Sequence, residues 1–219
     1  MSTAEPTGTK YDRTRTRILD AAAHLLSRKG YAGTRLSDVA ERAGIQTPAI
    51  YYYFTSRDDL IEEVMACGLA DMRNHLTEAL AALPPGTPAI ERIVVAAEAH
   101  LRHELQLSDY TTASIRNHGQ VPAQVRVRAD EEGDNYGAVW RQLFDDAARA
   151  GELRTDVDAR VAQMLVMGAL NWTAEWWDSS SRVALDAIVD TAQKFIRSAL
   201  LPVAQGGNAP KINQDHTPH

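Results

Sequence analysis

A single cysteine, Cys67, stands in a chain of 219 residues, so no internal disulfide staples the fold, and one thiol fits a reducing cytoplasm. Long apolar runs are missing too. None approaches the ~20 residues that cross a bilayer, and Met1 to Lys10 has none of the apolar stretch that opens a secretory leader. A cytoplasmic protein without a membrane partner is expected. No segment alternates apolar and polar residues as a half-buried strand does, which predicts an all-α fold. There is no glycine-rich phosphate loop and no GxSxG elbow. The nearest approach to a metal site, His100, His103 and Glu104, has three members on one predicted helix and no distant fourth. Cys67 has no neighbouring histidine to activate it. No enzymatic activity, metal or cofactor is expected.

What is present is an ordinary globular composition, 44% hydrophobic and 24% charged, with its charge unevenly placed. Between Lys10 and Arg57 nine basic residues face four acidic ones, a surplus of five. The remainder therefore carries −11 in a chain whose net charge is −6. A basic head on an acidic body suits a protein whose head alone meets a polyanion, although a solvated basic face would give the same count.

Met1 to Thr9 is rich in Ser, Thr, Gly and Pro, and a disordered arm over 1–12 is expected. From Thr14 the pattern turns helical, with Ile18, Leu19, Ala22, Leu25 and Leu26 on one face and a stop at Gly30. A short helix follows from Leu36 to Ala43, closed by Gly44. Another begins with Thr47 as cap and Pro48 in its first turn, ending near Tyr53-Phe54. Ser56 caps a long helix with Asp58 and Asp59 in its first turn. Pro84-Pro85-Gly86 breaks it, and further helices are predicted over about 88–105, 109–117, 122–150, 157–178 and 181–201. The expected division is a basic helical head over 13–55, an acidic helical body over 56–202, and a flexible tail over 203–219.

Two short helices joined through Gly44 form a helix-turn-helix, whose second helix enters the major groove of duplex DNA. Gln46 can bond a base edge or a phosphate, while Thr47 and Ala49 offer small surfaces suited to a thymine methyl. Tyr51 and Tyr52 can reach phosphates through their hydroxyls, and Arg57 brings charge to the next helix start. Tyr53 and Phe54 are expected in the core. The whole run from Arg17 to Leu60 resembles the tetracycline-repressor (TetR) family. The likeness is carried by Lys29-Gly30-Tyr31, Ser37-Asp38-Val39-Ala40, Ala43-Gly44-Ile45, Ile50-Tyr51-Tyr52-Tyr53-Phe54 and Ser56-Arg57-Asp58-Asp59-Leu60. It implies a three-helix DNA-binding head, a long connecting helix, and a ligand-binding core that dimerises through its last two helices. Phosphate contacts would carry over to Thr34, Tyr51, Tyr52 and Arg57, and base reading to Gln46, Thr47 and Ala49. The sequence departs from the family at Arg35, where a second capping threonine is common, and at Tyr52, where histidine is common. Arg35 keeps a phosphate-binding role open.

In the body, Leu185, Ile188, Val189, Ala192, Phe195 and Ile196 recur at helical spacing, and the preceding helix offers Val161, Leu165, Gly168, Ala169 and Trp172. Paired with their symmetry mates, these would make a four-helix homodimer interface; completing the monomer core is the alternative. Trp140, Trp172, Trp176 and Trp177 concentrate late in the chain, and Trp172 and Trp176, one turn apart, are expected to face the same way. Ser114-Ile115-Arg116 followed by Gln124-Val125-Arg126, with Asn171-Trp172 and Glu175-Trp176-Trp177, looks like family members that sense acyl-coenzyme A esters. Candidate effector residues are Arg116, Arg126, Tyr136, Trp140, Trp172 and Trp176. The expected function is a homodimeric repressor bound to a near-palindromic operator and released by a small molecule, an acyl-coenzyme A ester among the candidates. The alternatives are a repressor sensing an uncharged aromatic or drug-like ligand, and an architectural DNA-binding protein with no effector.

Overall fold

The computed structural model describes residues 9–177, 180 and 182–202, and among these every regular element is helical. None of these helices is long and apolar enough to cross a membrane. The first helix, α1 (Lys10–Gly33), begins four residues before the apolar pattern does. The reason is a reciprocal cap: the Thr9 hydroxyl accepts from the Asp12 N–H while the Asp12 carboxylate accepts from the Thr9 N–H. Of the arm expected over 1–12, residues 10–12 are thus helical and residues 1–8 lie outside the described residues. The tail expected over 203–219 also lies outside them, as does all but Ser180 of the break at Asp178–Ser181.

Gly30, at φ 70°, kinks α1 rather than ending it, and Gly44, at φ 66°, ends α2 (Leu36–Ala43) with its N–H on the Ala40 and Glu41 carbonyls. Both backbones need the left-handed region that glycine enters without a Cβ clash. The next helix, α3 (Thr47–Ile50), is shorter than its pattern. Gln46, not Thr47, holds the cap position, and Pro48 sits in the first turn, where no N–H is required. Ser56 caps α4 (Arg57–Ala81) as expected, accepting the Asp59 N–H at 3.0 Å.

α4 belongs to two cores. Its Leu60, Ile61, Val64 and Met65 close the head core around Ile18, Leu26, Val39, Ile50 and Phe54, whereas Met72 and Leu76 join the body core. Ala113, Val121 and Ala129 also pack on the head side, so residue 55 divides no two cores. The body continues with α5 (Ala89–Arg102), a π-helical turn (His103–Leu107), α6 (Asp109–Asn117), a 3₁₀ turn (Ala123–Val125) and α7 (Val127–Arg149). The helix expected over 157–178 is divided into α8 (Ala159–Asn171) and α9 (Thr173–Trp176), and α10 (Leu185–Leu200) follows. The split falls at Trp172, whose carbonyl accepts the Glu175 N–H three residues on, a tighter turn than the α-helix allows. Trp140, Phe144, Ile93 and Ile196 lie at the centre of the body core.

One crossing is unusually close. A Cβ on Gly68 of α4 would lie 2.4 Å from the Tyr110 carbonyl oxygen and 2.6 Å from Ser114 Oγ, both on α6. The hydroxyls of Thr111 and Ser114 complete the contact, donating to the carbonyls of Gly68 at 3.1 Å and Met65 at 2.9 Å.

Candidate functional site

The head gathers most of the proposed DNA-contacting side chains on one exposed surface. Gln46, Pro48 and Ala49 are exposed on α3, Thr47 is half-buried, and only Ile50 turns inward. Just beyond, Tyr51 and Tyr52 stand 58% and 76% exposed while Phe54 is fully buried. The phenol rings therefore contribute little to the core, and their hydroxyls are free to meet an outside partner. Tyr53 is half-buried. Tyr11, expected in the arm, packs edge-on to Tyr52 at 5.9 Å between centroids and against Tyr53 at 4.8 Å. No local pattern announces that contact, because its partners are some forty residues apart. Arg35 is exposed at the start of α2.

Two expected phosphate contacts, Thr34 and Arg57, are bonded within the head. Thr34 is 2% exposed, and its hydroxyl donates to the Gly30 carbonyl at 2.8 Å. Arg57 donates from Nε to the Thr34 carbonyl at 2.7 Å and from Nη2 to the Tyr31 carbonyl, and its guanidinium lies 4.3 Å over the Tyr31 ring. Tyr31 in turn donates to Asp58 at 3.0 Å. The cluster satisfies carbonyls left open where α1 kinks and ends, and it fixes the start of α4 against the head.

In the body a cavity of about 780 Å³ opens between α4, α6, α7 and α8, within the range of small-molecule sites. Of the six candidate effector residues, Arg126, Tyr136 and Trp172 line it. Arg126 sits beside His118 and Asp130, donating to them at 2.8 and 2.5 Å. Arg116 points elsewhere, with Nη1 on the Ser27 carbonyl at 3.1 Å. Trp140 is sealed in the core between His100 and Tyr136. Trp176 lines a different recess, between α8 and α10, because the tight turn at Trp172 shifts its phase. Ser114 and Ile115 of α6 complete one wall of the cavity; both belong to the run Ser114-Ile115-Arg116 that carries the acyl-coenzyme A resemblance, although only Arg116 of that run is among the six candidates.

The opposite edge of α6 is bonded to α1. Asp109 lies 3.0 Å from His24 Nδ1 and 2.9 Å from Arg28 Nη1, and Tyr110 donates to Asp20 at 2.7 Å. Arg116 and Asn117 donate to the carbonyls of Ser27 and Leu26, both at 3.1 Å. Burial works against the Asp109 carboxylate, but the bonds from Arg28 and His24 outweigh it and hold its pKa below the ordinary range.

The apolar stripe on α10 divides in two. Leu185, Ile188, Val189 and Ile196 are buried in the chain's own core, the alternative that the sequence left open, and Ala192 is half-buried. Phe195 remains 64% exposed, and Val161, Leu165 and Trp172 of the preceding segment are exposed as well. Met164, absent from the sequence candidates, belongs with them. Between α8 and α10 runs an apolar groove of about 380 Å³ lined by Ala169, Trp176, Thr191 and Phe195.

Comparison with known proteins places these surfaces in context. Residues 18–64 match the family model for bacterial regulatory proteins of the tetR family, and residues 86–200 match that for the tetracyclin repressor-like C-terminal domain. The transcriptional repressor KstR2 of Rhodococcus jostii is 22% identical over 84% of this chain and 89% of its own length. The fatty acid metabolism regulator of Bacillus subtilis is 23% identical over 73% and 81%. Among solved structures, AibR in complex with isovaleryl coenzyme A and operator DNA superposes with a TM-score of 0.75 at 18% identity, over 87% of this chain and all of that one. With its helix-turn-helix head and its helical body both accounted for, the chain belongs to the TetR family of transcriptional regulators.

Proposed function

We propose that the protein is a cytoplasmic repressor that binds a near-palindromic operator as a homodimer and is released when an acyl-coenzyme A ester fills the cavity in its body. The observation that carries this reading is the position of α6. One side of that helix walls the cavity through Ser114 and Ile115, and the other is tied to α1 by side chains from Asp109 to Asn117. A ligand that displaces α6 must move α1, and with it the exposed face of α3. Two identical heads then leave register with half-sites about 34–36 Å apart. Arg126 and His118 at the cavity suit phosphate, and Met72, Met167 and Ile115 suit an acyl chain. The naming of a fatty acid regulator and of an isovaleryl-coenzyme A complex among the relatives agrees with this choice. A cavity of this size argues against an architectural protein without an effector.

The experiment is a titration of acyl-coenzyme A esters of graded length against the protein–operator complex, followed by DNA anisotropy. Release is expected for one range of lengths, with free coenzyme A far weaker, since each buried CH₂ contributes about 0.8 kcal/mol. Arg126→Ala should blunt release and leave operator affinity without ligand unchanged. Release by an uncharged aromatic or drug-like cation, and by no ester, would replace the thioester with that class.

A further inference from the structure

His100, His103 and Glu104 are buried together where α5 passes into its π-helical turn, a kind of irregularity that gathers at functional sites. No group of three or more candidate metal ligands among the described residues is placed to hold an ion. The three instead form a line of polar groups leading inward from the cavity. Tyr136 lines the cavity, and its hydroxyl lies 2.8 Å from His100 Nδ1. His100 Nε2 lies 3.2 Å from Glu104 Oε2, which also accepts from the Thr173 hydroxyl at 3.3 Å. Around this line, among the described residues, Glu104 Oε1, Trp140 Nε1, His100 Nε2 and both ring nitrogens of His103 are buried without a hydrogen bond of good geometry. Buried polar atoms are nearly always paired. Their concentration beside a cavity points to a partner from outside the chain.

The charge states narrow what that partner is. Burial pushes the Glu104 carboxyl up toward its uncharged form, against the opposing bonds from His100 and Thr173. Burial, with His75 and His100 nearby, pushes His103 down to about 4, so its ring is neutral near pH 7. Burial also keeps Tyr136 protonated. When its carboxyl is uncharged, Glu104 presents a proton toward His100 Nε2 across the 3.2 Å gap; His100 then carries its own proton on Nδ1 and donates it to the Tyr136 oxygen. The O–H of Tyr136 is left for an acceptor in the cavity it lines. We propose that Tyr136, held by His100 and Glu104, is a specificity-determining residue that donates its hydroxyl proton to an uncharged oxygen, a carbonyl or hydroxyl, on the apolar part of the effector. This rests on the cavity being the effector site, though not on the effector being a thioester. A carboxylate is disfavoured there, because its charge would be buried beside groups that are themselves driven neutral.

The test compares octanoyl-coenzyme A with octyl-coenzyme A thioether, which lacks only the carbonyl oxygen, as agents of release from operator DNA. The parent protein should need about tenfold less of the octanoyl ester, the worth of one hydrogen bond, and Tyr136→Phe should respond to both alike. Equal potency on the parent protein overturns the proposal and leaves the thioester reading standing. If neither compound releases DNA, the thioester reading fails, and thermal shift with 2-nonanone against nonanoate decides the proposal. A preference for the ketone that Tyr136→Phe loses supports it; no preference, or one for nonanoate, overturns it. Glu104→Gln should keep the preference, because an amide donates to His100 as an uncharged carboxyl does. Loss of the preference in that variant overturns the donation from Glu104 through His100 to Tyr136.

Discussion

The head and the body place their aromatic side chains in opposite ways. In the head, Tyr51 and Tyr52 project into solvent next to a core already filled by Phe54, Ile50 and Ile18. In the body, Tyr136 and Trp140 are buried against His100, and the Trp140 N–H has no hydrogen-bond partner. An exposed phenol adds little to folding, so its removal is felt at a partner. A buried aromatic carries packing, so its removal is felt in stability, unless its polar end faces a ligand. The same division runs through α10, where Phe195 and Ile196 are adjacent in sequence yet one is exposed and the other buried.

The sharpest way to break this comparison is to charge the two faces of α10 separately. Phe195→Glu should give a folded monomer by native mass spectrometry, with operator affinity reduced a hundredfold or more, roughly the cost of losing one of two coupled heads. Ile196→Glu should instead collapse the body, since an unpaired charge in an apolar core is costly. A Phe195→Glu protein that remains dimeric would remove the exposed α8–α10 face from the interface. Next in size is Arg57→Ala, which should lower stability by about 2–3 kcal/mol in denaturant titration through the lost bonds to the Tyr31 and Thr34 carbonyls. Wild-type stability in that variant would return Arg57 to the DNA surface. Tyr51→Phe removes only a hydroxyl and should weaken operator binding by about 1–1.5 kcal/mol, with an unchanged melting temperature. A large fall in that temperature would make Tyr51 a core residue.

The smallest effect belongs to Glu91 and Arg197, which join α5 to α10 through bonds of 2.9 and 2.7 Å. Those bonds outweigh slight burial and hold Glu91 below the ordinary carboxylate range. Its contribution is therefore present above a pH of about 4.3 and is lost as pH falls through the lower folded value. Both side chains are more than a third exposed, so Glu91→Gln should cost under about 1 kcal/mol at pH 7. The difference from the parent should vanish in acid; a difference that persists there would point to packing rather than charge.

Helix positions are largely legible in the chain because periodicity and caps are local. The bounds of α2 and α6 agree with expectation to the residue, and Ser56 caps α4 as expected. Roles that depend on distant backbone are not legible. Arg57 resembles a phosphate ligand in sequence because its acceptors are carbonyls more than twenty residues upstream. The α10 stripe identifies apolar residues but not which neighbour covers them, since α5, the helix packed most extensively against α10, leaves no mark on the α10 pattern. Trp172 and Trp176 separate because one shortened turn alters helical phase, and neither residue type signals such a turn. The relay behind Tyr136 is half visible, as His100 and Glu104 stand four apart on a helix, yet their link to α7 exists only in three dimensions.

The contact at Gly68 sets a distance without a torsion angle. Backbone rests on backbone there, with no side chain able to swing aside, so α4 and α6 are less free to separate or approach than to turn about the point of touch. Arg57 lies eleven residues from Gly68, a lever arm of roughly 16 Å at the α-helical rise. Turning that arm by about ten degrees would carry the head end about 3 Å, close to the ~3.4 Å rise per nucleotide along the axis of duplex DNA.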